Sequence, residues 1–194
     1  MHTRKVEYRG FERDDGLWDI EGELQDTKPH AFEIEGEGEW APHEPIHHMH
    51  LRVTLDNNMV IRDIAVAMDA HPHDPCPQAM EPMQGLIGET LGRGWRKTIE
   101  RHLGGIQGCT HLRELLFNLA TAAFQSVPAV FSSSHPDEPP RHLGQCTGWD
   151  FNGQGVKEFF PQFYGRAPQA PKLAEQATTT DFTAEISAKQ APSA

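Results

Sequence analysis

The sequence predicts an α+β fold, an antiparallel β-sheet of two N-terminal hairpins packed against two or three helices. Apolar residues alternate by twos as far as Met68, the pattern of strands with one buried face. From Met80 onward they recur every three or four residues, the pattern of helices. Strands come first and helices follow, without βαβ alternation, which calls for an antiparallel sheet with helices laid on it. The sheet is expected from residues 4 to 68 and the helices from 77 to 127.

The first hairpin runs from Val6 to Leu24, with Trp18, Ile20, Gly22 and Leu24 on one face and Asp19, Glu21 and Glu23 on the other. Its turn is Arg13-Asp14-Asp15-Gly16. Ile34 to Pro45, rich in acids, glycine and proline, reads as an irregular connection or an edge strand. In the second hairpin Met49, Leu51, Val53 and Leu55 alternate with His48, His50, Arg52 and Thr54; Asp56-Asn57-Asn58 turns the chain, and Val60 to Met68 returns. Three closely spaced prolines, at 72, 75 and 77, then stiffen the stretch His71 to Pro77.

Pro77 suits the first turn of a helix carrying Met80, Met83, Leu86, Ile87 and Leu91. A second short helix spans Trp95 to Leu103, closed by Gly104-Gly105. The strongest helical pattern follows Cys109: Thr110 is the expected cap, and Leu112, Leu115, Leu116, Leu119 and Ala123 form one face until Pro128. Ser132 to Arg141 reads as a loop, Trp149 to Gly153 as a small hairpin and Phe159 to Tyr164 as an aromatic anchor. One domain over residues 1–166 is expected, followed by a low-complexity tail, 167–194, too poor in apolar residues to fold alone. There is no internal repeat.

Among 194 residues, 28 acids against 17 bases give a formal charge of −11, which argues against nucleic acid, because binding there rests on clustered Lys and Arg. No apolar run is long enough for a membrane helix, and no apolar core follows Met1-His2-Thr3-Arg4-Lys5 as in a signal peptide. The expected location is cytoplasmic. Three widely spaced cysteines, Cys76, Cys109 and Cys146, fit reduced thiols better than a disulfide framework.

Histidine is the anomaly, with twelve residues, several close together. Cys76 and Cys109 each stand where a loop enters a helix, and free N–H groups there favour a thiolate. The plainer alternative is a small buried hydrophobe. Histidines beside them, His71 and His73 before Cys76 and His111 after Cys109, suggest a mixed thiolate and imidazole set of the kind zinc or iron takes. By parity His47 shares the core face of its strand, whereas His48 and His50 share the solvated face. The candidate metal ligands are therefore Cys76, Cys109, His47 and His71. His73, His111 and Glu114 are candidates for moving a proton beside the metal, although Glu114 in the first turn of a helix also suits the helix dipole alone.

Arg9-Gly10-Phe11-Glu12-Arg13-Asp14-Asp15-Gly16-Leu17-Trp18-Asp19-Ile20-Glu21-Gly22, with Gly108-Cys109-Thr110-His111-Leu112 and the later Cys146, resembles a bacterial domain family of unknown function, which implies no particular activity. The order of the second hairpin, a Cys-led helix and a second Cys-led helix with a leucine face is similar to iron–sulfur cluster assembly scaffolds of the IscU type. That resemblance implies an antiparallel sheet backed by helices, with Cys76 and Cys109 at the metal end and His47 where the scaffolds place an acid. Pro45 stands where their first cysteine would be.

Two functions follow as expectations. One is a metal-dependent enzyme, a lyase or hydrolase acting on a small organic substrate, with mononuclear zinc or iron. The other is a carrier or assembly scaffold for zinc or an iron–sulfur cluster. The open strand edges leave room for a homodimer.

Overall fold

The computed structural model describes residues 1–133 and 135–166; the tail expected at 167–194 lies outside the described residues. The fold is α+β. Strands β1 (Thr3–Glu12) and β2 (Trp18–Thr27) form the first hairpin. Strands β3 (Phe32–Ile34) and β4 (Gly38–Trp40) pair with each other in a small ribbon, where the sequence pattern marked only a connection or edge strand. Strands β5 (Pro45–Leu55) and β6 (Ile61–Ala70) form the second long hairpin. The main sheet has the order β1-β2-β5-β6 with every pair antiparallel. Both long hairpins extend further from their turns than the apolar alternation marked.

Alternation gives the sheet two chemically different faces. Ile20, Leu24, Met49, Leu51, Val53 and Leu55 are buried on the inner face, while Glu21, Glu23, His48, His50 and Arg52 point to the outer one. Two helices, α1 (Trp95–Leu103) and α2 (Thr110–Ser126), pack on that face, and Ile61 and Ile64 of β6 with Met83, Leu86 and Leu91 after it complete the core. Leu112, Leu115, Leu116, Leu119 and Ala123 of α2 are buried, at the spacing of one helix face. Tyr8 Oη donates to the Leu115 carbonyl at 3.1 Å, tying α2 to β1. At Gly10 a Cβ atom would lie 2.6 Å from the Ser126 Cβ, so the bare backbone lets the last turn of α2 settle on the strand.

The helix expected from Pro77 is instead a 3₁₀ segment, Cys76–Leu86. Pro82 inside it has no N–H to donate, and a long α-helix cannot form across that position. α2 also begins slightly differently from its expected cap. Cys109, with extended backbone angles, is the N-cap residue and Thr110 the first helical one.

A second compact unit begins at Leu143. It contains a turn of 3₁₀ helix at Thr147–Trp149, α3 (Gln154–Phe159) and another 3₁₀ turn at Pro161–Phe163. Leu143, Phe151, Val156 and Phe163 are its buried centre. The hairpin expected at Trp149–Gly153 is a hydrogen-bonded turn, with Gly153 N donating to Asp150 O at 2.7 Å. Of the aromatic anchor only Phe163 is fully buried; Phe159 is exposed. No helix among the described residues is long and apolar enough to cross a membrane.

Candidate functional site

The inner face does not end in apolar residues. One step past Leu24 on the same face of β2 stands Asp26, whose side chain is only 1% exposed. Ladder register places Arg4 of β1 opposite it on one side and His47 of β5 opposite it on the other. Directly opposed side chains in adjacent antiparallel strands approach within contact distance, so one cross-strand row carries guanidinium, carboxylate and imidazole.

Arg4 binds Asp26 through a two-bond fork, Nε to Oδ1 at 2.8 Å and Nη2 to Oδ2 at 2.7 Å. Its remaining arm, Nη1, donates to Glu114, which stands on α2 just past its first turn. His2 Nε2 lies 3.1 Å from Asp26 Oδ1. On the other carboxylate oxygen, Oδ2, His47 Nδ1 stands at 3.1 Å and His111 Nε2 at 3.7 Å. The His47 and His111 rings overlap with centroids 3.9 Å apart, and Cys109 Sγ is 3.6 Å from His111 Nδ1.

Burial sets the protonation of this cluster. Desolvation, reinforced by the neighbouring His111 and opposed by Asp26, pushes His47 down to about 4. His111 is also lowered, first by burial and then by the charge of Arg4. Asp26 would be raised by burial, but the Arg4 fork and the charges of Arg4, His2 and His47 overcome this and hold it below the usual carboxylate range. At neutral pH the cluster is one ionised carboxylate facing two neutral imidazoles, the protonation state in which each can donate a lone pair.

The donor atoms of Asp26, His47 and His111 all lie within 4.8 Å of one another. A tetrahedral ion with bonds of about 2.0–2.1 Å to N and O ligands spaces those ligands about 3.4 Å apart. The separations of 3.1 and 3.7 Å from Asp26 Oδ2 bracket that edge. The cluster opens on a cavity of about 1140 Å³. Phe32, Ile34 and Ile46 contribute apolar walls, and His73 and Cys76 line it as well.

The expected site residues therefore fall into distinct places. His47, Cys109 and His111 are together at the cluster, and Cys76 and His73 line the same cavity. His73 Nδ1 pairs with Glu37 at 2.9 Å, tying the proline-stiffened loop to the β3–β4 ribbon. His71 Nδ1 turns to the His73 carbonyl at 3.0 Å and does not line the cavity. Glu114 faces Arg4. Cys146 is exposed in the second unit.

Asp26, Arg4 and His2 were not among the expected residues. A signal for Asp26 existed in the alternation Trp18, Ile20, Gly22, Leu24, of which it is the next member.

The chain belongs to the family described as "Protein of unknown function (DUF2889)", whose model matches residues 2–125. That span contains the whole cluster, from His2 to Glu114, and excludes Cys146. No curated protein and no solved structure matches the chain.

Proposed function

We propose that this protein is a metal-dependent enzyme, a lyase or hydrolase acting on a small organic substrate, with one zinc or iron ion held by Asp26, His47 and His111. The observation that carries this reading is a buried carboxylate flanked by two neutral imidazoles at ligand spacing, opening on a cavity large enough for a small molecule. Three protein ligands would leave a further position for water or substrate, as in catalytic rather than structural sites. A metal there would polarise a substrate oxygen.

The chain's own groups have complementary tasks. Arg4 keeps Asp26 ionised and fixes its plane, and Glu114 holds the free arm of Arg4. Cys109 at 3.6 Å orients the far nitrogen of His111. His73, on the cavity wall, is the group assigned to proton exchange with a bound substrate. The apolar walls at Phe32, Ile34 and Ile46 favour a substrate with a hydrophobic body.

A second reading, a carrier or assembly scaffold, is favoured by one observation: Cys76 and Cys109 line the same cavity. The two readings part on metal content. Protein purified without oxygen is expected to hold zinc or iron without sulfide, and Asp26→Asn, His47→Ala and His111→Ala are each expected to lose the ion from this site while remaining folded by circular dichroism. Sulfide with visible charge-transfer bands, lost on Cys76→Ser, supports the scaffold instead. Full retention of the interior ion in all three variants removes the proposed site.

A further inference from the structure

A second donor set lies on the opposite face of the same sheet. His48 and His50 stand two apart on β5, so both imidazoles project to the outer face, and their ring centroids are 4.5 Å apart. Each neighbouring strand adds a carboxylate. On β2, Glu23 is the register partner of His50, and its Oε1 lies 2.9 Å from His48 Nε2. On β6 a bulge leaves Asp69 unopposed between the pairs His48 with Ala70 and Met49 with Met68. Asp69 Oδ2 sits 3.0 Å from His50 Nε2 and 3.9 Å from His48 Nδ1.

From this geometry we infer that Glu23, His48 and His50, with Asp69 beside them, form a second divalent-metal site, separate from the interior cluster. The donor atoms of Glu23, His48 and His50 all fall within 4.8 Å of one another. Two imidazoles and a carboxylate are the borderline donor set preferred by zinc, nickel and copper(II) over magnesium or calcium. Asp69 is the fourth donor or, if it stays on His50, the acceptor that fixes that ring. Arg9 Nη2 approaches the other oxygen of Glu23 at 3.6 Å, which leaves Oε1 directed at the histidines.

Three strands contribute, β5 two histidines and β2 and β6 one carboxylate each, and the backbone ladder holds them in place without a ligand. A bulge is also the device by which a strand re-aims a side chain. The set is half open to water: His48 is 22% exposed and Asp69 59%. An ion here would exchange readily and keep open positions toward solvent. It lies beside a shallow groove of about 250 Å³ that His50 shares with Arg9 and Arg52.

The test is a zinc titration of the metal-stripped full chain against a colorimetric chelator. Wild-type protein is expected to take two ions per chain. His48→Ala/His50→Ala takes one and keeps the interior ion, whereas Asp26→Asn keeps the outer one. Glu23→Gln and Asp69→Asn are expected to weaken the outer site at least about tenfold. These side chains are partly exposed and leave the core untouched, and circular dichroism checks that each variant is folded. Copper(II) loaded onto Asp26→Asn should report imidazole nitrogen couplings that vanish in Asp26→Asn/His48→Ala/His50→Ala. A stoichiometry unchanged by the His48/His50 double substitution overturns the outer site, as does a single wild-type ion that Asp26→Asn removes. A single ion lost only with His48 and His50 supports the outer site and counts against the interior one.

Discussion

Glu23 and Asp26 stand three residues apart on β2, and His47 and His48 are neighbours on β5, yet each pair is divided between the two faces of one sheet. On the inner face Asp26 is 1% exposed and His47 17%; on the outer face Glu23 is 35% exposed and His50 39%. The residue types are the same and the cross-strand geometry is similar. What differs is the solvent. Inside, desolvation outweighs the attraction of Asp26 and keeps His47 neutral, and a carboxylate can remain charged only because Arg4 forks onto it. Outside, water and salt screen the same pairings, so they cost little to form and contribute little when formed. The inner row is thus held in one geometry by the free energy that breaking it would cost, and the outer row by the backbone alone.

The largest expected effect tests the first half of that statement. Arg4→Ala removes both fork donors from a carboxylate that has almost no access to water, and breaking a buried pair from one side costs about 3–5 kcal/mol. Arg4 itself is 30% exposed, so the lower end, about 3 kcal/mol, is expected in urea unfolding at pH 7. Adding Asp26→Asn should restore part of the loss, because the stranded charge is then gone. A change under about 0.5 kcal/mol, the scale of a surface pair, would mean that the two faces are energetically alike.

The acid limb of stability separates the faces next. In the metal-free protein His47 protonates only near 4, whereas the unfolded chain takes that proton near 6.5. Between those values the unfolded state binds more protons, so stability rises with pH there and is lost as pH falls from 6.5 toward 4. The full gap is worth about 3 kcal/mol; with the ring partly reaching solvent, about 2 kcal/mol is expected. His111, lowered in the same direction, adds to the slope, and Asp26, lowered among carboxylates, loses its contribution only at more acid pH. Denaturation midpoints at several pH values in the presence of a chelator check this. His47→Asn should flatten the limb, and a wild-type protein equally stable at pH 4.5 and 7 contradicts the neutral-imidazole cluster.

Much of this contrast can be read from the chain, and the part that cannot has a physical reason. Period-two alternation identifies both long hairpins and puts His47 on the core face and His48 and His50 on the other. Extending the first ladder outward from the Arg13–Gly16 turn brings Arg4 opposite Asp26, but a carboxylate after Leu24 reads as the end of a strand rather than as its last inward position. Burial of an acid is visible only once its partners are placed, and beyond Arg4 and His2 they come from β5 and the start of α2, far away in the chain. Cys109 and His111 at a helix entrance were legible because a helix start has a local signature. Cys76 carries the same local signature, although Pro82, with no N–H to donate, leaves a 3₁₀ segment there in place of an α-helix. The bulge at Asp69 has no sequence mark, since Met68-Asp69-Ala70 alternates as an ordinary strand would.

The smallest effect bears on the outer row. His48→Ala removes a ring that pairs with Glu23 at 2.9 Å and lies tilted against His50, contacts that look as well formed as those inside. In metal-free protein at pH 7 both partners are partly solvated, each can return to water when the other leaves, and exposed pairs are worth about 0–1 kcal/mol. A loss no larger than about 0.5 kcal/mol is therefore expected, against about 3 kcal/mol for Arg4→Ala on the other face. Glu23, which His48 holds below the usual carboxylate range, should move back toward it in the variant, a change readable from the carboxyl carbon shift in an NMR titration. A loss comparable to that of Arg4→Ala would show that the outer residues, despite their exposure, are bound into the fold as the inner ones are, and the assignment of their geometry to the backbone alone would fail.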